Sequence, residues 1–173
     1  MFTPHIAEAY RHGVSILSQN TRVEKLSEGL PANKFQSQVT LFETNGSDFI
    51  NDHKMQNEIF GSASLIVRCE NTQELINVPT QLEGQLTIAV HLQDGDMTTV
   101  KEILPLLEIT AGRILINGFG TGVEVSTAMA HGGIFPSTSD GRSTSVRTAA
   151  IYRFLQPVCY QDFSADKSPD LLK

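Results

Sequence analysis

The apolar positions of this chain change period several times, and each change marks an element. Ile6, Tyr10, Val14 and Leu17 recur at near-helical spacing, and Thr3-Pro4 ahead of them supplies a capping hydroxyl and a proline suited to the first helical position. A helix is therefore expected from there. Residues 38–42 read as a strand, 48–55 as a short amphipathic helix, and 65–69 as a compact strand rich in branched side chains. Then follow a helix over 72–82, a strand over 86–92, a helix over 97–110 that contains Pro105, and a strand over 113–117. Strands alternating with helices of about ten residues or more imply right-handed crossovers and a mainly parallel sheet with covering helices, an α/β fold. Beyond a glycine-rich stretch, the pattern predicts a helix over 144–154 and a strand over 156–161, with a polar tail over 162–173 that frays.

That glycine-rich stretch, Asn117 to Ser145, changes the picture most. It holds six of the thirteen glycines, namely Gly118, Gly120, Gly122, Gly132, Gly133 and Gly141, and up to Ser139 its only charged residue is Glu124. Glycine at this density lets backbone approach backbone or a ligand closely, so a site is expected around it. Gly118-Phe119-Gly120-Thr121-Gly122 after a strand mimics a dinucleotide fingerprint, but the third glycine of that pattern would fall on Val123. A tight turn is the better reading.

Composition narrows the classes. A chain of 173 residues with 40% hydrophobic and 18% charged residues can bury a core, either as one domain or as part of a larger one. The net charge of −6, with thirteen scattered Lys and Arg, leaves no footprint for nucleic acid or an anionic membrane. The N-terminal residues lack the basic-then-apolar layout of a secretion signal, so a cytoplasmic protein is expected. Cys69 and Cys159 each lie in an apolar strand-like run, which predicts two buried, reduced, inert thiols rather than a disulfide. No metal site is expected.

Asn57-Glu58-Ile59-Phe60-Gly61, followed about sixty residues later by Asn117-Gly118-Phe119, resembles the C-terminal part of an aldehyde dehydrogenase, in which E-[IV]-F-G-P is a signature. More narrowly, FTPHIAEAYRHGV, LEGQLT, AGRILINGFGTGVEV, AMAHGGIFPSTSDGRSTSV and TAAIYRFLQPVCYQD resemble the NADP-preferring branch with α-ketoglutaric semialdehyde dehydrogenase and the Vibrio-type fatty aldehyde dehydrogenase. The motifs span nearly the whole chain and occur in the family's order.

The resemblance implies an aldehyde-dehydrogenase catalytic-domain fold with a C-terminal oligomerisation strand, and oxidation of a small aldehyde to its carboxylate with NADP or NAD. It places the later part of the catalytic domain at 1–142 and the terminal helix, oligomerisation strand and tail at 143–173, with the cofactor-binding domain absent. Glu58 would accept hydrogen bonds from the nicotinamide ribose hydroxyls, for which a two-oxygen carboxylate is suited, and Phe60 would pack at the nicotinamide end. Read without the family, Glu58 caps a helix end and Phe60 is core. His131 would relay a proton or hold a thiolate, or else is a structural histidine bonded to backbone in its turn. Phe119, Thr121 and Phe135 would line the substrate pocket, while Asp140 and Arg142 tie down a turn. The family's nucleophilic cysteine and water-activating glutamate lie upstream of the part resembling Met1, so the chain is expected to be a fragment, inactive alone. The alternative is a non-catalytic α/β dimerisation module; a free-standing binding domain would leave the ordered motifs unexplained. Homodimers or higher homo-oligomers are expected, with residues 156–161 as an exposed pairing edge. Three departures stand out: Ser62 where the signature has proline, Arg147 at a position usually glycine, and Ser126-Thr127 before Ala128-Met129.

Overall fold

The computed structural model describes residues 3–33, 36–120, 122, 126–146, 148–162 and 164. Helix α1 (Pro4–Gln19) starts as its sequence predicts, with the Thr3 hydroxyl accepting from the Ile6 N–H at 3.2 Å and Pro4 in the first turn. It buries Ala7, Tyr10 and Leu17. Strand β1 (Glu24–Glu28) pairs antiparallel with β2 (Thr40–Asn45), which pairs in parallel with β3 (Ala63–Arg68). Between β2 and β3 run α2 (Gly46–Asn51) and a 3-10 turn (His53–Gln56). Helix α3 (Thr72–Thr80) leads to β4 (Ile88–Val90), and α4 (Met97–Glu108) leads to β5 (Ile114–Ile116), parallel to β4.

The fold is thus the expected α/β alternation with parallel strand pairs, in two sheets ordered β1-β2-β3 and β4-β5. Leu17, Phe42, Phe49 and Met55 form the main buried cluster, with Val14, Val23, Ile59, Leu65 and Val67 packed against it. Phe42 is wholly buried in the middle of β2.

Several sequence expectations need correction. The helix expected over 48–55 breaks at Asp52, whose carboxylate accepts from the Lys54 N–H at 3.1 Å and from the Asn20 amide at 2.9 Å. Its side chain competes with the helical ladder and starts a separate turn. The helix expected over 144–154 is a 3-10 segment, Thr148–Phe154, with no buried residue. Thr144 is held out of it because its hydroxyl accepts from the His131 N–H at 2.8 Å and from the Val146 N–H at 3.4 Å. Residues 156–161 are exposed and form no strand, since an extended segment without a neighbouring strand has no ladder to complete. Cys159 lies in that segment and is exposed rather than buried. Cys69 is half-buried, and burial, aided by the Glu74 carboxylate, pushes its thiol pKa up. That matches an inert thiol.

The Asp52 contacts carry a pH dependence. The bonds from Asn20 and the Lys54 N–H hold its carboxyl below the usual aspartate range. A depressed folded-state pKa means stability that is present above the unfolded value of about 4 and lost as pH falls through the folded pKa. Asp52→Asn should therefore flatten the acid limb of melting temperature against pH relative to the parent.

Candidate active site

The signature segment follows the 3-10 turn and leads into β3. Ile59 packs on the main core, and its two neighbours, Glu58 and Phe60, are exposed. Phe60 is 68% exposed, so it is not core, and no hydrogen bond or ion pair among the described residues engages the Glu58 carboxylate. Glu58 lines a cavity of about 610 Å³ with Gln56, Asn57, the segment Leu82 to Thr87, and Pro136-Ser137. Three of the motifs separated along the chain therefore meet at one opening.

Glycine makes that meeting possible. A Cβ on Gly84 would sit well inside contact distance of the Ile134 carbonyl oxygen, and one on Gly112 equally close to the Gly132 carbonyl oxygen. The segment from His131 to Ser137 is thus laid backbone against backbone on the strand entries before β4 and β5. The Gln85 N–H donates to the Thr110 carbonyl at 2.7 Å and the Gly112 N–H to the Gln85 carbonyl at 3.2 Å, extending the β4-β5 pairing to this point.

Within the segment, the backbone of His131 is held at both ends: its N–H by Thr144, as above, and its carbonyl by the Ser145 hydroxyl at 3.4 Å. The imidazole is not what ties the turn. Its Nδ1 is buried and has no hydrogen-bond partner among the described residues. Such an atom is costly to leave unpaired. Phe135, 79% exposed, precedes the cavity residue Pro136. Asp140 accepts from the Arg142 N–H at 3.0 Å and stays in its own turn, as expected. Thr121 lies outside the described residues.

Arg113, which the sequence reading did not single out, and Asn117, which it quoted only within a motif, organise the loop after β5. Arg113 donates from Nη1 to the Gly122 carbonyl and from Nη2 to the Gly120 carbonyl, each at 2.8 Å, and from Nη2 to the Thr87 hydroxyl at 3.3 Å. It grips the loop after β5 and joins it to Thr87 on the cavity wall. Asn117 adopts φ 52°, accepts from the Leu92 N–H at 2.8 Å and donates to the Leu92 carbonyl at 3.0 Å. It clasps the C-terminal ends of β4 and β5 together. The available signal was an asparagine between an apolar strand and a glycine, a residue type that tolerates the left-handed region. Beyond the clasp, Phe119 is 80% exposed, and its ring centroid lies 5.2 Å from that of His91.

Asn117→Ala should cost about 2–3 kcal/mol, combining left-handed strain of roughly 1 kcal/mol with two lost hydrogen bonds of about 1 kcal/mol each. Asn117→Gly removes the bonds without the strain, so its melting temperature should fall between those of the alanine variant and the parent.

No family model matches the chain. It is 44% identical over 174 aligned positions to α-ketoglutaric semialdehyde dehydrogenase 2 of Azospirillum brasilense, covering 100% of this chain and 33% of that protein. It is 43% identical to α-ketoglutaric semialdehyde dehydrogenase of Acinetobacter baylyi, covering 96% of this chain and 32% of the relative. The chain spans about a third of the length of these curated relatives. Its fold is similar to Δ-pyrroline-5-carboxylate dehydrogenase from Mycobacterium tuberculosis, with a TM-score of 0.66 at 17% identity over 96% of this chain and 31% of that one. It is also similar to a Staphylococcus aureus betaine aldehyde dehydrogenase variant in complex with NAD+, with a TM-score of 0.63 at 16% identity over 94% and 33%. With high identity along its whole length and a shared fold, the chain belongs to the aldehyde dehydrogenase superfamily, as a portion matching about one third of its relatives.

Proposed function

We propose that this chain is the C-terminal portion of a cytoplasmic, NADP-linked aldehyde dehydrogenase that oxidises α-ketoglutaric semialdehyde to the dicarboxylate. The observation that carries this reading is 44% identity along the entire chain to a protein of that named activity. The cavity at Glu58 supports it. A free carboxylate on an open cavity of about 610 Å³ has the two acceptor oxygens that a ribose diol requires. The nicotinamide cofactor, when bound, accepts the hydride from the substrate carbon.

The rest of the chemistry here falls to the chain's own groups. Glu58 fixes the ribose, and Phe60, exposed beside it, aims the nicotinamide end. His131, through Nδ1, takes or returns a proton near the reacting carbon. By the family resemblance, Phe119 and Phe135, with Thr121 outside the described residues, would supply the pocket wall that orients the aldehyde. The thiolate nucleophile and the water-activating glutamate belong to the remainder of the polypeptide, and the raised thiol pKa of Cys69 supports that assignment. Residues 143–173 form the subunit-pairing tail of a homodimer or larger oligomer.

The test is NADP reduction with α-ketoglutaric semialdehyde, followed for this chain alone and for a polypeptide extended upstream by a cysteine-bearing catalytic segment and a cofactor domain. Turnover only in the extended protein is the expected result. Turnover by the short chain would make Cys69 or Cys159 the nucleophile and overturn the placement of the reactive thiol. An inactive extended protein would favour a non-catalytic module.

A further inference from the structure

We propose that His91 is a specificity-determining residue of the aldehyde pocket, its imidazole supplying a hydrogen-bond donor beside Phe119 that selects aldehydes carrying a distal carboxylate. The inference rests on the proposed aldehyde-oxidising function and deepens it at one residue.

The argument begins at the C-terminal ends of the parallel strands, where open α/β sheets bind their ligands. The end of β4 carries His91 and the end of β5 leads into Phe119. The two ends are fixed relative to each other by three hydrogen bonds. The Asn117 N–H donates to the Val90 carbonyl at 2.9 Å, and the Asn117 side chain bonds both backbone groups of Leu92. His91 sits between Val90 and Leu92, and Phe119 lies two residues past Asn117, so the clasp brackets both rings. They meet at a centroid distance of 5.2 Å with planes tilted by 47°. Tilted aromatic packing of this kind holds a ring in one orientation.

Phe119 stands between two glycines, which alone would leave it without a fixed direction. Arg113 holds the carbonyls of Gly120 and Gly122, and His91 covers the phenyl ring. The polar groups of the clasp are already committed: the Asn117 amide to Leu92, and the Arg113 Nη atoms to Gly120, Gly122 and Thr87. The Arg113 Nε is buried and has no hydrogen-bond partner among the described residues, whereas the exposed imidazole in ring contact offers an N–H at the open phenyl wall. A substrate whose aldehyde end reaches the reaction centre past Phe119 would trail its far end at His91, where a carboxylate oxygen can accept that hydrogen.

The experiment compares 5-oxopentanoate with pentanal, two five-carbon aldehydes that differ at the distal group, in a full-length enzyme containing this chain. His91→Phe keeps a ring against Phe119 and removes the donor. His91→Gln keeps a donor and removes the ring. The expected result is that the ratio of kcat/KM for 5-oxopentanoate over pentanal falls about tenfold in the phenylalanine variant, the size of one lost hydrogen bond to a charged group, and falls through KM. The glutamine variant should retain a ratio above that of the phenylalanine variant while losing kcat/KM on both aldehydes. An unchanged ratio in His91→Phe, with circular dichroism and melting like the parent, would make His91 a packing residue and overturn the inference alone. A parent enzyme that oxidises α-ketoglutaric semialdehyde but neither test aldehyde would overturn the inference alone, and one that oxidises none of the three would overturn the proposed function with it.

Discussion

In a full-length enzyme containing this chain, Glu58→Ala is expected to raise the KM for NADP by about 100-fold, the equivalent of roughly 3 kcal/mol from two charge-assisted hydrogen bonds. The side chain is exposed at the cavity rim, and no partner among the described residues engages it. Its removal therefore leaves no buried group unpaired and should not lower the melting temperature by more than a degree or two. That separation of binding from stability is the informative feature. Glu58→Gln keeps the shape and one acceptor oxygen, so its effect should be about tenfold. Isothermal titration with NADP would check binding apart from turnover. A carboxylate that acted as a helix cap would give the opposite pattern, with a lower melting temperature and unaltered cofactor binding, and that result would remove Glu58 from the cofactor site.

The sequence made parts of this molecule plain and hid others for physical reasons. Helix α1 and the alternation of β2, α2, β3, α3, β4, α4 and β5 were legible because each carries apolar residues at a helical or strand period, even where, as in α3, none is fully buried. Strand β1 was not, because Glu-Lys-Leu-Ser-Glu is exposed at every position and is held by an antiparallel edge ladder with an irregularity between Lys25 and Ser27. Its pairing comes from the backbone, which leaves no apolar pattern to read. The Thr144 to Phe154 helix failed for the reverse reason: its pattern was apolar enough, but a threonine hydroxyl already engaged by the His131 N–H sits at its expected start.

The site divides in the same way. Glu58, Phe60, His131 and Phe135 are candidates drawn from motifs, and the structure puts Glu58 on one cavity with Pro136, next to Phe135 in the chain. The contacts of Arg113, Asn117 and His91 were not legible, because they are made with backbone groups, a hydroxyl and a ring contributed from positions up to twenty-eight residues away. Spacing along the chain carries no trace of such partners. Glycine density was the useful surrogate, since it marked where backbone meets backbone even though it did not say which segments would meet.

Gly112→Ala turns that surrogate into an expected loss of about 3 kcal/mol, which for a domain of this size lowers the melting temperature by roughly 6–12 °C. The added methyl would fall within contact of the Gly132 carbonyl and the Gly133 Cα, and both obstacles are backbone, so no rotamer change relieves them. The 131–137 segment must lift away from the entry to β5. Gly95→Ala is the matched control, because nothing lies within 4 Å of its added carbon and its φ is not left-handed. There the smaller unfolded-state entropy should leave stability unchanged or raise it by about 0.5 kcal/mol. The displaced segment carries His131, Phe135 and the Pro136-Ser137 wall opposite Glu58, so whatever Gly112→Ala costs in folding it should also cost at the site. In the full-length enzyme it should raise the KM for NADP and lower kcat together at temperatures where the fold is still intact. A variant that melts early yet keeps both constants would mean that the segment braces the fold without shaping the cavity.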